Sequence, residues 1–164
     1  MERERTISFR LNGEAARSRV SARTHLGDLL RLEYGLAGVH LGCEHGVCGA
    51  CPIVIDGQPA RSCLTLAVQA EGCDLRTVEG LAPEGGRQSA LQAAFRRHHA
   101  LQCGFCTAGI LMSLDSYLAA HSDPTEEELR EVIGGHLCRC TGYAPILAAA
   151  LDAAATLRKD PADA

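Results

Sequence analysis

Eight of the nine cysteines in this chain fall into two sets of four, and this arrangement constrains the fold more than any other feature. The first set has the spacing Cys-x4-Cys-x2-Cys with a fourth cysteine further along, and consists of Cys43, Cys48, Cys51 and Cys63. The second set is two close pairs that are far apart in sequence, Cys103, Cys106, Cys138 and Cys140. The chain therefore has to bring thiols from distant segments together twice.

The spacing of the first set is the plant-type pattern for a [2Fe–2S] cluster. One tight loop supplies three sulfurs, and a separate segment supplies the fourth. Gly42, Gly46 and Gly49 alternate with the cysteines, as expected where a chain wraps a cluster and needs positive φ without a Cβ penalty. The alternative is a zinc site, but zinc sites favour two short Cys-x2–4-Cys hooks. We expect His45 inside this loop to be exposed rather than a ligand.

The second set is less diagnostic, because Cys-x2-Cys with Cys-x-Cys can hold either zinc or a cluster. Both pairs lie at the ends of predicted helices, where unpaired N–H groups stabilise thiolates. Arg139, between two of these cysteines, either adds positive charge at the site or is a solvated side chain. The ninth cysteine, Cys73, has no partner in the pattern, and we expect it to be inert. The pair His98-His99 is interpreted as structural.

Bulk properties exclude several classes of protein. The net charge of −4 and the absence of a basic stripe argue against a nucleic-acid partner. The longest apolar stretch, 144–151, is too short to span a bilayer, and no secretory or twin-arginine signal is visible near Met1. We therefore expect a cytoplasmic protein, in which cysteines serve metal or redox chemistry rather than disulfides. With three Phe, three Tyr and no Trp, the core must use small side chains, and metal clusters would reinforce it.

The pattern of apolar residues predicts an α+β chain with two domains. Residues 1–79 are predicted as a β-rich domain, 80–87 as a Gly/Pro-rich linker and 88–164 as a four-helix bundle. In the first domain we predict a strand over 6–11 and a helix with Thr24 as its N-cap. A hairpin over 53–61, with its turn at Asp56-Gly57, and a further strand over 75–78 are predicted to follow. Pro59 in the return strand of that hairpin predicts either an edge position or a bulge.

Helical periodicity begins after the linker. Apolar residues at helical spacing predict helices around Phe95, Ile110, Leu129 and Leu147. The sequence Asp123-Pro-Thr-Glu126 predicts the start of the third of these helices, with Asp123 as the N-cap and proline in the first position.

Taken together, the motifs resemble the small iron–sulfur subunit of the molybdenum hydroxylases, the family of xanthine dehydrogenase, aldehyde oxidoreductase and aerobic carbon monoxide dehydrogenase. The matching segments are 42–51, 61–64, 101–107 and 137–143, and they occur in the order and spacing of the family. The resemblance implies a β-grasp, ferredoxin-like N-terminal domain, a C-terminal four-helix domain, and a second [2Fe–2S] cluster on the second cysteine set. Three positions differ from the common pattern: Pro52 replaces Thr, Ala108 replaces Pro, and His136 replaces Asn.

The same resemblance implies partner subunits. A large subunit would hold a molybdenum–pterin cofactor, and in most members a medium subunit holds FAD, so that the whole is a hetero-oligomer; a dimer of heterotrimers is one such assembly. The cluster on Cys103, Cys106, Cys138 and Cys140 would lie nearer the molybdenum, and the cluster on Cys43, Cys48, Cys51 and Cys63 nearer the flavin. Gln102 would hydrogen-bond the pterin.

These inferences predict a subunit of an oxidoreductase that relays electrons one at a time from molybdenum–pterin to FAD or another acceptor. It would have no catalytic residues of its own. One alternative is a free-standing two-cluster ferredoxin-like carrier, although the additional helical domain exceeds what a simple carrier needs. Another is a structural or sensory module with zinc or a regulatory cluster, which metal analysis and the visible spectrum would identify.

Overall fold

The computed structural model describes residues 4–82 and 87–159, so residues 83–86 of the predicted linker 80–87 lie outside the described residues. The strands are β1 (Glu4–Leu11), β2 (Glu14–Ser21), β3 (Pro52–Ile55), β4 (Gln58–Arg61) and β5 (Asp74–Arg76). The α-helices are α1 (Leu26–Leu32), α2 (Ala90–Arg97), α3 (Thr107–Ala120), α4 (Glu126–Gly134) and α5 (Ala144–Lys159). The predicted α+β class, with a sheet domain before a four-helix domain, is confirmed.

The five strands form one mixed sheet in the order β2-β1-β5-β3-β4. β1 pairs antiparallel with β2 and parallel with β5, while β3 pairs antiparallel with both β4 and β5. The alternating residues Ile7, Phe9 and Leu11 of β1 are all buried, as the period of a half-buried strand requires. β4 forms the edge of the sheet, which confirms the edge position predicted from Pro59.

Two apolar cores correspond to the two halves of the chain. The first core packs α1 against the sheet and includes Leu26, Leu30 and Ile53. The second core surrounds α3, which is buried on most of its circumference, and includes Phe95 and Ile146 together with a single residue of the sheet, Val54. Ala149, Ala150 and Ala153 of α5 are fully buried, and α2 packs closely against this helix because the small side chains permit a close approach.

Two predicted helix starts are wrong. The N-cap of α1 is His25 rather than Thr24, because the carbonyl of Thr24 accepts a hydrogen bond from the N–H of Ala67 in a neighbouring segment. The N-cap of α4 is Thr125, not Asp123. Thr125 and Glu128 cap each other reciprocally, and this capping box fixes the helix start two residues later than predicted. In addition, the predicted strand over 75–78 ends at Arg76.

Polar contacts join the sheet to the helices. Arg76 of β5 forms an ion pair with Asp115 of α3. The hydroxyl of Ser116 donates to the carbonyl of Gly57, with 3.0 Å between the oxygens. An ideal Cβ on Gly109 would lie 2.3 Å from the carbonyl oxygen of Gly49, so α3 contacts the first cysteine loop at a position where only glycine fits. The two halves are therefore packed together where the cysteine sets lie.

None of the described helices combines the length and the apolar character needed to cross a membrane.

Candidate metal centres

The first cysteine loop lies between α1 and β3. Gly46 and Gly49 have φ values of +87° and +70°, as predicted for a loop that wraps a cluster, and Glu44 also adopts positive φ. Cys51 immediately precedes β3, and the hairpin of β3 and β4 returns the chain so that Cys63 lies beside it. The two Sγ atoms are 3.3 Å apart.

The fourth cysteine of this set is held by the start of α1. The N–H groups of Leu26 and Gly27 donate to the carbonyls of Thr65 and Ser62, at 2.7 and 3.1 Å. The hydroxyl of Ser62 in turn donates to the carbonyl of Cys51, at 2.8 Å. The unpaired donors of a helix start thus fix the segment that carries Cys63.

The second set is assembled from two interhelical connections. Cys103 and Cys106 join α2 to α3, whereas Cys138 and Cys140 join α4 to α5. The Sγ atoms of Cys140 and Cys103 are 3.5 Å apart. Tyr143 braces this site: its hydroxyl accepts from the N–H of Cys138 at 2.8 Å and donates to the carbonyl of His136 at 3.0 Å.

The thiols of each set differ in acidity. Hydrogen bonds from the backbone N–H groups of His45 and then Cys48 lower the pKa of Cys43 to about 6. Burial raises the pKa of Cys63 to about 11, and the neighbouring Cys51 adds to this. In the second set, burial raises the pKa of Cys106 to about 12. Burial acts to raise the pKa of Cys138 too, but hydrogen bonds led by the hydroxyl of Thr141 outweigh it and bring that pKa to about 7.

The residues present fit iron–sulfur ligation. Two thiolates on one tetrahedral metal, with bonds of about 2.3 Å, lie about 3.8 Å apart. The Sγ–Sγ distances of 3.3 Å in the first set and 3.5 Å in the second are close to this value. Across residues 4–82 and 87–159, no three His, Cys, Asp or Glu side chains gather as they would around one metal ion. The thiols instead approach in pairs. The N–H of Cys48 donates to Sγ of Cys43 at 3.3 Å, and the hydroxyl of Thr141 lies 3.1 Å from Sγ of Cys138. Backbone and hydroxyl contacts of this kind support the sulfur ligands of a cluster.

Three of the other candidate residues are exposed beside the cysteine sets. Gln102 is exposed next to Cys103, the most exposed cysteine of the second set. His45 is exposed, as expected, and Arg139 is exposed as well. Cys73 is half-buried near the start of β5, and burial raises the pKa of its thiol.

His98 and His136 each have a structural partner. His98 contacts the carboxylate of Asp152, with 2.9 Å between Nε2 and Oδ2, as its structural interpretation predicts. Buried His136 lies against Gly49, and burial lowers its pKa. Sequence reasoning singled out His136 only as a departure from the common pattern, and it missed Tyr143 and His40. A tyrosine three residues beyond the last cysteine pair carries no signal of its own.

The chain matches known proteins along nearly its whole length. Residues 9–80 match the model of the 2Fe-2S iron-sulfur cluster binding domain, and residues 77–151 match the model of the [2Fe-2S] binding domain. Caffeine dehydrogenase subunit gamma of Pseudomonas sp. (strain CBB1) is 58% identical over 86% of this chain and 86% of that protein. The nicotine 6-hydroxylase small subunit of Paenarthrobacter nicotinovorans is 56% identical over 90% of this chain and 88% of its own length.

A solved structure agrees with these matches. In quinoline 2-oxidoreductase from Pseudomonas putida 86, a chain with 55% identity superposes with a TM-score of 0.90, over 95% of this chain and 96% of that one. The relatives are subunits of oxidoreductase complexes, so an iron–sulfur subunit is favoured over a free-standing ferredoxin. The chain belongs to the family of small [2Fe–2S] iron–sulfur subunits of the molybdenum hydroxylases.

Proposed function

We propose that this chain conducts electrons between two partner subunits, using Cys43, Cys48, Cys51 and Cys63 to hold one cluster and Cys103, Cys106, Cys138 and Cys140 to hold another. A bound [2Fe–2S] cluster takes up and releases one electron at a time. The protein contributes the ligands, excludes water from the buried thiols Cys51, Cys63 and Cys106, and fixes the distance between the sites. In this proposal the domains are residues 1–79 and 88–164, joined by a linker over 80–87.

The distribution of exposed apolar side chains carries the proposal. Within residues 4–82 and 87–159, six large apolar residues are exposed, and five of them lie within two positions of a proposed ligand: Val47, Leu64, Leu101, Phe105 and Leu137. A carrier that exchanges partners in solution has little use for such patches, whereas a permanent subunit buries them. We infer that partner subunits cover both cysteine sites.

The second set is proposed to face the large molybdenum subunit, and the first set a medium subunit with FAD. Cys103 and Gln102 are both exposed beside Leu101, which leaves this side of the second set open to a cofactor on another chain. Gln102 is proposed to hydrogen-bond the pterin there. We propose a cytoplasmic hetero-oligomer, for which a dimer of heterotrimers is the simplest symmetric form.

The substrate class is proposed from the relatives. Caffeine, nicotine and quinoline, which name three relatives of 55–58% identity, all contain nitrogen in an aromatic ring. We propose that the complex oxidises a nitrogen-containing aromatic ring. Dye reduction by the native complex should then be faster with such heterocycles than with simple aldehydes, and the reverse order would reject this substrate class.

Replacement of Cys103 by Ser tests the conducting role. In the purified complex, Cys103→Ser should leave substrate binding by the large subunit intact while electron delivery to the acceptor is lost. Cys73→Ser is the matched control and should retain full turnover, since Cys73 belongs to neither set. Unchanged turnover in Cys103→Ser would contradict the proposal.

The proposed covering of the apolar patches has its own test. Leu101→Glu places a charge beside the second set and should reduce co-purification of the large subunit. Leu32→Glu is the control, because Leu32 is the sixth of these exposed apolar residues, is 82% exposed on α1, and has no cysteine near it in sequence. Equal co-purification in both variants would show that the patch is not an interface.

A further inference from the structure

The two cysteine sets are joined by contacts that neither set needs for its own assembly. The N–H of Leu137 donates to the carbonyl of Cys48, at 2.8 Å. The guanidinium of Arg61 donates to the carbonyl of Gly135, at 2.9 Å. The first bond places the connection before Cys138 directly on the first cysteine loop, and the second ties this connection to the end of β4, two residues before Cys63.

His136 makes the side-chain contact at this junction. Its Nδ1 lies 2.7 Å from the carbonyl oxygen of Gly49, and only 2% of the residue is exposed. A carbonyl oxygen only accepts, so Nδ1 is the donor. Gly49 lies between two proposed ligands of the first cluster, and His136 lies two residues before a proposed ligand of the second.

His40 makes a second junction on the other pair of the second set. Its Nδ1 donates to the carbonyl of Phe105, at 2.8 Å, and the two rings stack with centroids 4.8 Å apart and an interplanar angle of 8°. The ring of Phe105 also contacts Gly42, where an ideal Cβ would lie 3.3 Å from it. Phe105 lies between Cys103 and Cys106, and His40 lies three residues before Cys43.

We propose that His40 and His136 are positioning residues that clamp the second cysteine set onto the first cysteine loop, one histidine for each pair of the second set. Each ring donates from Nδ1 to a backbone carbonyl in the other domain. The clamp fixes the separation and relative orientation of the two sites, on which electron transfer between them depends. This inference rests on the proposed assignment of the eight cysteines as ligands.

Substitutions at His136 separate the hydrogen bond from the volume of the ring. Asn carries an N–H donor at the same number of bonds from the backbone as Nδ1, whereas Leu fills the space without a donor. The readout is the magnetic interaction between the two clusters in fully reduced protein, measured by electron paramagnetic resonance (EPR), because dipolar coupling depends steeply on distance. Iron content is measured on the same samples.

His136→Leu should lose the wild-type splitting, with turnover of the complex reduced about 10-fold, while His136→Asn should retain both. His40→Phe, which keeps the stack and removes the donor, should also change the splitting. Wild-type splitting in His136→Leu would overturn the clamp. If His136→Leu instead loses iron, the His136→Asn variant distinguishes the two explanations. Wild-type iron content and splitting in His136→Asn would support the proposal, and failure to restore both would overturn it.

The iron content of the unsubstituted protein distinguishes the two levels of inference. Fewer than about four irons per chain would contradict the proposed ligands themselves. Full iron with an unchanged splitting in the His136→Leu variant would overturn only the clamp.

Discussion

The peptide N–H of Leu137 and the carbonyl of Cys48 form a hydrogen bond of 2.8 Å between residues that are far apart in sequence. Cys48 is a proposed ligand of the first cluster, and Leu137 directly precedes a proposed ligand of the second. The two sites are therefore connected through one backbone hydrogen bond, in addition to the side-chain contacts of His40 and His136. A substitution at this junction should therefore perturb both sites.

Gly109 should not tolerate a side chain. A Cβ at this position would lie 2.3 Å from the carbonyl oxygen of Gly49, and backbone atoms cannot move away cheaply. We expect Gly109→Ala to separate α3 from the first cysteine loop and to lower the free energy of unfolding by about 1–3 kcal/mol. Thermal unfolding of the holo-protein measures this.

Gly134→Ala is the control for that variant. Gly134 ends α4, and nothing lies within 4 Å of an ideal Cβ there. Since Ala is a better helix former than Gly, Gly134→Ala should be neutral or stabilising by up to about 1 kcal/mol. Equal melting temperatures for the two variants would contradict the proposed close contact at Gly109.

The ion pair between Arg76 and Asp115 predicts unequal effects of removing either partner. The carboxylate is the more buried partner: burial raises the pKa of Asp115, and Arg76 opposes this. Arg76→Ala leaves that carboxylate unpaired and should cost about 1–3 kcal/mol. Asp115→Asn leaves the half-exposed guanidinium to water and should cost less than about 1 kcal/mol. Urea unfolding at neutral pH compares them.

The same pair gives a pH dependence. Without Arg76 the pKa of Asp115 in the folded state should rise further above its unfolded value of about 3.9. A raised pKa favours the folded state at pH values below the unfolded pKa, and that benefit is lost as pH rises through the folded pKa. The deficit of Arg76→Ala should therefore shrink as the solution is acidified from neutral pH. The double variant Arg76→Ala, Asp115→Asn has no carboxyl to protonate, so its stability deficit should not shrink on acidification. An equal recovery of stability in the single and double variants would contradict the role of Asp115.

The start of α4 provides a test of the corrected N-cap. Thr125→Ala removes the hydroxyl that accepts from the N–H of Glu128 and should cost about 1 kcal/mol. Asp123 caps nothing and only pairs with Arg158 on the surface, so Asp123→Ala should cost less. A larger loss of unfolding free energy for Asp123→Ala than for Thr125→Ala, measured by chemical unfolding, would restore Asp123 as the cap.

Local features of the sequence were sufficient for much of the fold. The alternation of Ile7, Phe9 and Leu11 predicts a strand, and the spacing of Cys43, Cys48 and Cys51 predicts a single loop, because both signals depend on neighbours in sequence. The hairpin that brings Cys63 to Cys51 follows from the Asp56-Gly57 turn.

Tertiary contacts were not predictable in the same way. Thr24 fails as a cap because its carbonyl pairs with Ala67, and Asp123 fails because the capping box of Thr125 competes with it. The roles of His40 and His136 depend on carbonyls in the other domain. A histidine in sequence does not indicate which distant carbonyl it will meet.

Iron and sulfide analysis combined with EPR of anaerobically purified, fully reduced protein tests the central claim most directly. The eight proposed ligands predict about four irons per chain and two distinct paramagnetic species. Colourless protein with zinc, or reduced protein with a single species and about two irons, would contradict the assignment of both cysteine sets to [2Fe–2S] clusters.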